Sequence, residues 1–110
     1  MSAMDSLTAL GDPTRRQIVE LLGRGERASG DIAEQFDISA PAVSQHLKVL
    51  KEARLVRVRV EGQRRVYSLD PEGLQMIDAW LVEVRRFWAG SLDALEQALR
   101  APERKKRRKK

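Results

Sequence analysis

The chain has 110 residues, a formal net charge of +5 and no cysteine. A chain of this length forms one domain with a modest core, or a subunit that completes its core by oligomerising. The lack of cysteine excludes disulfides, thiolate metal sites and a cysteine nucleophile. No apolar run approaches the roughly 20 residues of a transmembrane helix, and the first ten residues do not resemble a signal peptide. We therefore expect a cytoplasmic protein with no membrane partner.

Positive charge is concentrated in two segments of the chain. Residues 100–110 carry eight Lys or Arg against one Glu, and Ser39–Leu69 carries seven basic and two acidic residues. Residues 1–99 as a whole have 13 basic and 15 acidic side chains, a net charge of −2. Such concentration of charge on part of a nearly neutral body is typical of a protein that binds a polyanion.

The first third of the chain predicts short helices separated by capping signals. Ala3–Leu10 favours a first helix, and Asp12 followed by Pro13 is an N-cap with proline at the first helical position. Ser29 is a candidate cap for a third helix. A tight turn at Asp37 then leads into a fourth helix, and a helix, a short turn and a second helix form the helix-turn-helix pattern.

The fourth predicted helix, Ser39–Ala53, has one narrow apolar stripe of Val43, Leu47 and Leu50. Its opposite face carries small or amide side chains, where a solvated helix would normally carry Glu and Lys. Donors and acceptors of this size suit contact with base edges. We therefore predict that this helix reads DNA through Ser39, Ala40, Pro41, Ser44, Gln45, His46 and Lys48.

Beyond Ala53 the pattern changes to the two-residue repeat of a strand. Val56, Val58 and Val60 alternate with charged residues, Gly62 marks a turn, and Arg64–Leu69 predicts a returning strand. A hairpin with cations at its tip, directly after a helix-turn-helix, is explained by a wing that lies along the phosphate backbone. The predicted backbone contacts are Lys51, Arg57, Arg59, Arg64 and Arg65.

A long helix is predicted over Pro71–Leu99. Apolar residues recur along it at heptad spacing, which gives more apolar surface than a monomer of this size could cover. We expect it to form a two-fold dimer interface with the first helix. The predicted interface residues are Leu7, Leu10, Ile77, Leu81, Val84, Trp88 and Leu95.

These elements predict a mainly helical fold with a small β-hairpin, in the order α-α-α-α-β-β-α: a homodimeric winged helix-turn-helix protein. Residues 1–99 form the predicted domain. The basic segment 100–110 is expected to be disordered; it could be a nucleic-acid-binding arm, a solubilising tail or an artefact.

Three stretches resemble the ArsR/SmtB family of bacterial winged helix-turn-helix repressors: LxALGDPTRRQIVELL, DIAEQFDISAPAVSQHLKVLKEARLV and RVEGQRRVYSLDP. The resemblance covers about residues 4–99. It implies a homodimeric transcriptional regulator, a repressor, with a recognition helix in the major groove of double-stranded DNA and release on a signal. It also draws attention to Asp37 and Arg54, which stand where the family often has glycine. Aspartate tolerates a left-handed backbone, whereas Arg54 is expected to add a cation near the DNA backbone and to strain the exit from the recognition helix.

The chain departs from the metal-sensing members that the family is known for. It lacks the cysteine pair of arsenite, cadmium or lead sensors, and the last helix has carboxylates but no histidine. Carboxylates alone favour hard cations, so we predict no cofactor and no metal ligands, and leave weak carboxylate-based metal binding open. The alternatives are a nickel- or zinc-responsive member with non-cysteine ligands and a regulator whose signal a partner protein senses.

Two other classes of function are less consistent with the sequence. An enzyme is disfavoured because the chain has one histidine, no cysteine and none of the common catalytic motifs. An adaptor that kept the fold but lost DNA binding would have no need for a cationic wing. The sequence therefore favours a DNA-binding regulator.

Overall fold

The computed structural model describes residues 3–109, and for residues 101–109 it describes the backbone alone. Its elements in chain order are α1 (Ala3–Ala9), α2 (Pro13–Gly23), β1 (Arg27–Ala28), α3 (Ser29–Phe36), α4 (Ala40–Glu52), β2 (Val56–Glu61), β3 (Arg64–Leu69) and α5 (Pro71–Lys109). The mainly helical architecture and the hairpin are confirmed. The strand β1 is an addition to the predicted order.

Strand β1 was not predicted because two residues are too few for a periodic pattern. Arg27 pairs with Tyr67 and Ala28 with Val66, so the sheet has three antiparallel strands in the order β1-β3-β2. The predicted N-cap of the next helix, α3, is wrong. Ser29 is the first residue of α3, and the N-cap is Ala28, whose side chain makes no capping hydrogen bond.

The predicted cap at the start of α2 is confirmed. Asp12 has an extended backbone, and its Oδ2 accepts a hydrogen bond of 3.0 Å from the backbone N–H of Arg15. This satisfies one of the free donors of the first turn. Arg15 in turn donates from Nε to the carbonyl oxygen of Ala9 at 2.6 Å, which joins α2 to the end of α1.

Left-handed residues end both helices of the helix-turn-helix. Asp37 follows α3 with φ 52°, as predicted for the turn. Arg54 follows α4 with φ 63°, and its N–H donates to the carbonyl of Lys51 while the N–H of Leu55 donates to that of Leu50. These two bonds form a complete Schellman motif, which normally has glycine where Arg54 lies.

The hairpin of β2 and β3 turns at Gly62 and Gln63. Gly62 has φ 62° at the first central position, where type II′ turns place glycine, and this turn follows the twist of the strands. The register pairs Val58 with Tyr67 and Arg59 with Val66. Since paired residues share a face of the sheet, Tyr67 packs into the core together with the base of β2.

One apolar core lies beneath α4 and the sheet. Its fully buried members include Ile18, Ile32, Leu47, Leu50 and Leu55. A single buried polar side chain is found among residues 3–100: Ser6 of α1, whose Oγ donates a hydrogen bond of 2.9 Å to the carbonyl oxygen of Ala53. The core therefore fixes the orientation of α4, and Ser6 attaches α1 to its C-terminal end.

The chain divides into two compact units, Met1–Asp78 and Ala79–Lys110. Helix α5 runs along the backbone to Lys109, so its predicted end at Leu99 is wrong. Lys, Arg and Glu are good helix formers, and extending an existing helix avoids the cost of nucleation. The side chains of residues 101–110 lie outside the described residues, and a separate basic tail at 100–110 stays a prediction.

Candidate nucleic-acid interface

Helix α4 presents a polar surface on the side away from the core. Val43, Leu47 and Leu50 are buried, whereas six of the predicted base-reading residues are exposed: Ser39, Ala40, Pro41, Ser44, Gln45 and Lys48. The hydroxyl of Ser39 caps the helix by accepting a hydrogen bond of 3.2 Å from the backbone N–H of Ala42. Within the described residues, the side chains of Ser44, Gln45 and Lys48 make no hydrogen bond or ion pair, and their groups can donate to or accept from base edges.

His46 is placed differently from the other predicted readers. Its side chain is 22% exposed, and its Nδ1 lies 4.0 Å from Oδ2 of Asp12 and 3.5 Å from Nη1 of Arg15. The ring therefore packs against the first turn of α2. This position agrees with a packing residue, and base reading by His46 stays a prediction that its surroundings do not favour.

A cationic cleft of about 630 Å³ lies at the C-terminal half of α4, where the base of β2 and the residue before α5 meet it. Its walls bring together two of the predicted phosphate contacts, Lys51 and Arg57, with Lys48 and with Arg54. Glu52, Asp70 and Val56 complete the lining. Four cations against two carboxylates leave the cleft net positive, which favours a phosphate oxygen.

The wing arginines lie on both faces of the hairpin. On one face of the hairpin, Arg57 lies opposite Ser68 and Arg64 lies opposite Glu61. On the other face, Arg65 lies opposite Val60. Arg57, Arg64 and Arg65 are exposed, and none of them has a hydrogen-bond or ion-pair partner within the part of the chain whose side chains are described. These three guanidinium groups can therefore reach a phosphate without breaking an existing pair.

Arg64 and Arg65 also line a second open cleft, of about 550 Å³, with Gln63 of the turn and the first residues of α3. The cleft contains one carboxylate, Asp31. The tip of the hairpin and the first helix of the helix-turn-helix thus border a common space, which places the wing cations beside α3.

Arg59 differs from its neighbours because it is already paired. Its Nη1 and Nη2 donate to the two carboxylate oxygens of Glu26 at 2.5 and 2.8 Å, and its Nε and Nη2 donate to Oε2 of Glu61 at 2.9 and 2.5 Å. The hydrogen bonds that Arg59 donates lower the pKa of the Glu26 carboxyl group. Desolvation raises this pKa, but by a smaller amount. In return, the hydrogen bonds to Glu26 and Glu61 raise the pKa of the Arg59 guanidinium group above its ordinary value.

The predicted dimer residues fall into two groups. Leu10 and Ile77 are partly buried and pack against the core of the first unit, and Leu7 is half-buried. In the second unit Val84 is half-buried, while Leu81, Trp88 and Leu95 are exposed. Phe87, Leu92 and Leu99 are exposed too, at 70%, 55% and 61%, so the exposed apolar side of α5 is broader than predicted.

Four residues with defined roles were not predicted as part of the site or its support. Arg54 was expected to add a cation near the DNA backbone and to strain the helix exit, but it was not among the predicted contacts; it lines the cationic cleft. The sequence contains no signal that marks Glu26, Ser6 or Gly73 as part of the site. Each is ordinary by itself: a carboxylate in a loop, a serine in an apolar helix and a glycine in a first turn. The role of Glu26 depends on Arg59, which is 33 residues away, and the role of Ser6 depends on Ala53, which is 47 residues away.

Among residues 3–100, no group of three or more His, Cys, Asp or Glu is arranged to hold a metal ion. Within the described helices, none is both long enough and apolar enough to cross a membrane.

Comparison with known proteins gives consistent matches. Residues 12–58 match the family described as "Bacterial regulatory protein, arsR family". The chain is 52% identical over 91 residues to the HTH-type transcriptional regulator Rv2034 of Mycobacterium tuberculosis, covering 83% of this chain and 82% of the relative. It is 45% identical over 74 residues to the transcriptional repressor SdpR of Bacillus subtilis, covering 67% and 82%.

A solved structure shares the fold. The homodimeric winged helix-turn-helix DNA-binding domain of Mb0332 from Mycobacterium bovis superimposes with a TM-score of 0.62 at 29% identity, covering 77% of this chain and 80% of the other. Both the sequence and the architecture therefore have close counterparts among regulatory proteins.

Proposed function

Because this chain belongs to the arsR family of bacterial regulatory proteins and is a DNA-binding transcriptional regulator, we propose that it acts as a homodimeric repressor in the cytoplasm and binds an operator of two inverted half-sites. The observation that carries this proposal is the exposed polar face of α4, which adjoins a cationic cleft and unpaired wing arginines. Polar readers bordered by cations are what sequence-specific binding of DNA requires.

Base reading is proposed for the exposed side chains in the first three turns of α4. Gln45 can make a bidentate contact to adenine, and Ser44 and Lys48 can pair with several base edges. Ala40 and Pro41 offer apolar contacts to the thymine methyl group. All of them except Lys48 lie in the N-terminal half of the helix, which is the part that recognition helices place against the bases.

Phosphate contacts are proposed for the cations around this face. Lys51, Arg54 and Arg57 line the cleft beside α4, and Arg64 and Arg65 lie at the tip of the wing. Each phosphate that these side chains neutralise releases counterions and contributes about 0.9 to the slope of log affinity against log salt concentration. Such contacts fix the position of α4 on the duplex without reading sequence.

The proposed dimer uses the exposed apolar side of α5. Seven large apolar residues of the second unit are at least 37% exposed: Trp80, Leu81, Phe87, Trp88, Leu92, Leu95 and Leu99. An apolar surface of this extent favours burial against another copy, and the related Mb0332 domain is a homodimer. A two-fold dimer presents two α4 helices, so the operator should have inverted half-sites about one helical turn apart.

The proposal concerns DNA and the dimer. A response to nickel or zinc, or to a signal sensed by a partner protein, stays an alternative that the sequence leaves open.

Binding of Gln45→Ala to the region upstream of the protein's own gene tests base reading. We expect a loss on the operator of about 1–3 kcal/mol, with little change on random DNA. Gln35→Ala, which removes an exposed amide from α3, is the matched control and should bind as the wild type does. Equal losses on operator and random DNA would show that Gln45 does not read bases. Sedimentation at micromolar concentration tests the dimer, and a monomer would exclude it.

A further inference from the structure

We infer that Arg59 is a positioning residue that fixes the wing to the segment before β1, rather than a ligand of DNA phosphate. The inference rests on the proposed function, because it concerns how the wing is presented to DNA. It replaces the prediction that Arg59 is one of several equivalent backbone contacts.

The first argument is the number of donors that Arg59 has left. A guanidinium group has five N–H donors, and four hydrogen bonds to Glu26 and Glu61 are present. A bidentate phosphate contact needs two. Arg59 would therefore have to break at least one charge-assisted bond before it could bind phosphate in the way that arginine prefers.

The second argument is the charge of the cluster. Arg59, Glu26 and Glu61 together carry one positive and two negative charges, so the cluster has a net charge of −1. A phosphate that approached Arg59 would meet both carboxylates at close range. Arg57, Arg64 and Arg65 have no such partners within the described side chains, which makes them better phosphate ligands.

The third argument is the place of the pair in the sheet. Arg59 pairs with Val66 of β3, and Val66 pairs with Ala28 of β1, so the three lie in one row across the sheet. Glu26 lies two residues before Ala28. The bidentate pair thus spans the central strand and connects the two outer strands, which make no ladder with each other.

This connection matters because β1 is only two residues long. A strand of this length contributes few ladder hydrogen bonds, so backbone pairing alone holds the segment before α3 weakly against the sheet. The pair from Arg59 to Glu26 adds a link between α3, which follows β1, and the wing. Both elements border the cleft that contains Arg64 and Arg65, and the link therefore sets the spacing of the proposed phosphate contacts.

Glu26→Gln distinguishes the two roles by the sign of its effect. If Arg59 positions the wing, the loss of the carboxylate loosens the hairpin and weakens operator binding by about two- to fivefold, the range of an exposed ion pair. If Arg59 is a phosphate ligand restrained by Glu26, the same change frees a cation, and it should strengthen binding and steepen the salt dependence. Tighter binding by Glu26→Gln would overturn the inference.

Arg59→Gln and the double variant complete a thermodynamic cycle. We expect Arg59→Gln to weaken operator binding about as much as Glu26→Gln, and the double variant to be no worse than either, because all three break the same pair. Additive losses would contradict positioning through Glu26. Glu20→Gln, which neutralises an exposed carboxylate on α2 outside the wing, controls for the change in net charge and should leave the pair intact.

Hydrogen exchange of the free protein gives a readout that does not involve DNA. The amides of the β2–β3 hairpin should exchange faster in Glu26→Gln and in Arg59→Gln than in the wild type, and unchanged exchange would overturn the inference. If the wild type fails to bind its operator while the hairpin loosens as expected, the proposed function fails and the structural link stands. The two failures are therefore distinguishable.

Discussion

The backbone N–H of Gly73 donates a hydrogen bond of 2.8 Å to the carbonyl oxygen of Arg54, which joins the first turn of α5 to the residue that ends α4. A second bond, from the N–H of Asp70 to the carbonyl of Leu55 at 2.9 Å, lies beside it. The backbones approach so closely that a Cβ atom on Gly73 would overlap the carbonyl of Arg54. The first turn of α5 is thus fixed against the end of α4.

Gly73→Ala should be strongly destabilising. The added methyl group meets backbone atoms, which cannot rotate away as a side chain could, so the helices must separate and lose the bond between them. We expect a loss of about 3 kcal/mol or more in the free energy of unfolding, the upper part of the range for overpacking. Urea denaturation measures it. Gly90→Ala is the control, since nothing lies within 4 Å of that position, and it should stabilise the helix slightly.

Arg54→Gly should have opposite effects on stability and on DNA binding. Glycine relieves a left-handed conformation that costs other residues roughly 1 kcal/mol, and the lost contact with Glu72, 3.9 Å long and half-exposed, contributes little. The melting temperature should therefore rise. Affinity for random DNA should fall, because the cleft loses a cation. A variant that gains stability and keeps its full affinity would show that Arg54 does not contact phosphate.

Acid should weaken the cap of α2. The backbone N–H of Arg15, and the charges of His46 and Arg15, lower the pKa of Asp12 from its ordinary value of 3.8. A group whose pKa is lower in the folded state stabilises the fold above its unfolded pKa and loses that contribution as the pH falls through the folded pKa. The variant Asp12→Asn tests this, because it keeps a capping oxygen but does not titrate. The wild type should be the more stable at pH 7, and the difference should shrink as the pH falls below 3.8 and through the lower folded pKa; a constant difference across this range would contradict the assignment.

Ser6→Ala should destabilise the domain by about 1–2 kcal/mol, because it removes the buried donor to the carbonyl of Ala53 and leaves that oxygen without its partner. Thr8→Ala, an exposed change on the same helix, should alter stability by less than about 0.5 kcal/mol. Chemical denaturation of both variants measures the difference. Equal small effects would show that water replaces the hydroxyl at no cost.

Deleting residues 101–110 tests the predicted basic arm. The segment carries seven Lys or Arg and one Glu. If these residues reach phosphates, the deletion should weaken binding to operator and random DNA alike and reduce the salt slope by about 0.9 per lost contact. Replacing the same cations with Gln separates charge from length. Parallel salt plots for the full and shortened chains would mean that the segment contacts no phosphate.

Local signals were sufficient for most of the fold. The caps at Asp12 and Ser39, the left-handed turn at Asp37 and the hairpin turn at Gly62 were predicted from residue type, because each depends on the conformation of one or two residues. The apolar stripe of α4 was predicted from helical spacing. Strand β1 could not be predicted in this way, since its only basis is its pairing with β3.

The candidate site was less predictable than the fold. Charge alone made Arg57, Arg59, Arg64 and Arg65 equivalent, yet Glu26 and Glu61 distinguish Arg59 from the others. His46 was grouped with the base readers by its position on the helix, and its contact with Asp12 depends on how α2 crosses α4. Glu61 is only two residues from Arg59, but the pair with Glu26 and the contact of His46 with Asp12 join residues far apart in sequence, for which one sequence provides no pattern.

The hydrogen bond from Ser6 to Ala53 has a consequence for regulation. It joins α1 to the C-terminal end of α4, the helix proposed to read bases. A ligand that bound α1 and broke this bond would disturb the end of α4, and by thermodynamic reciprocity DNA bound to α4 would then weaken that ligand at α1. Ser6 is thus the place where such coupling would act without any contact between ligand and DNA.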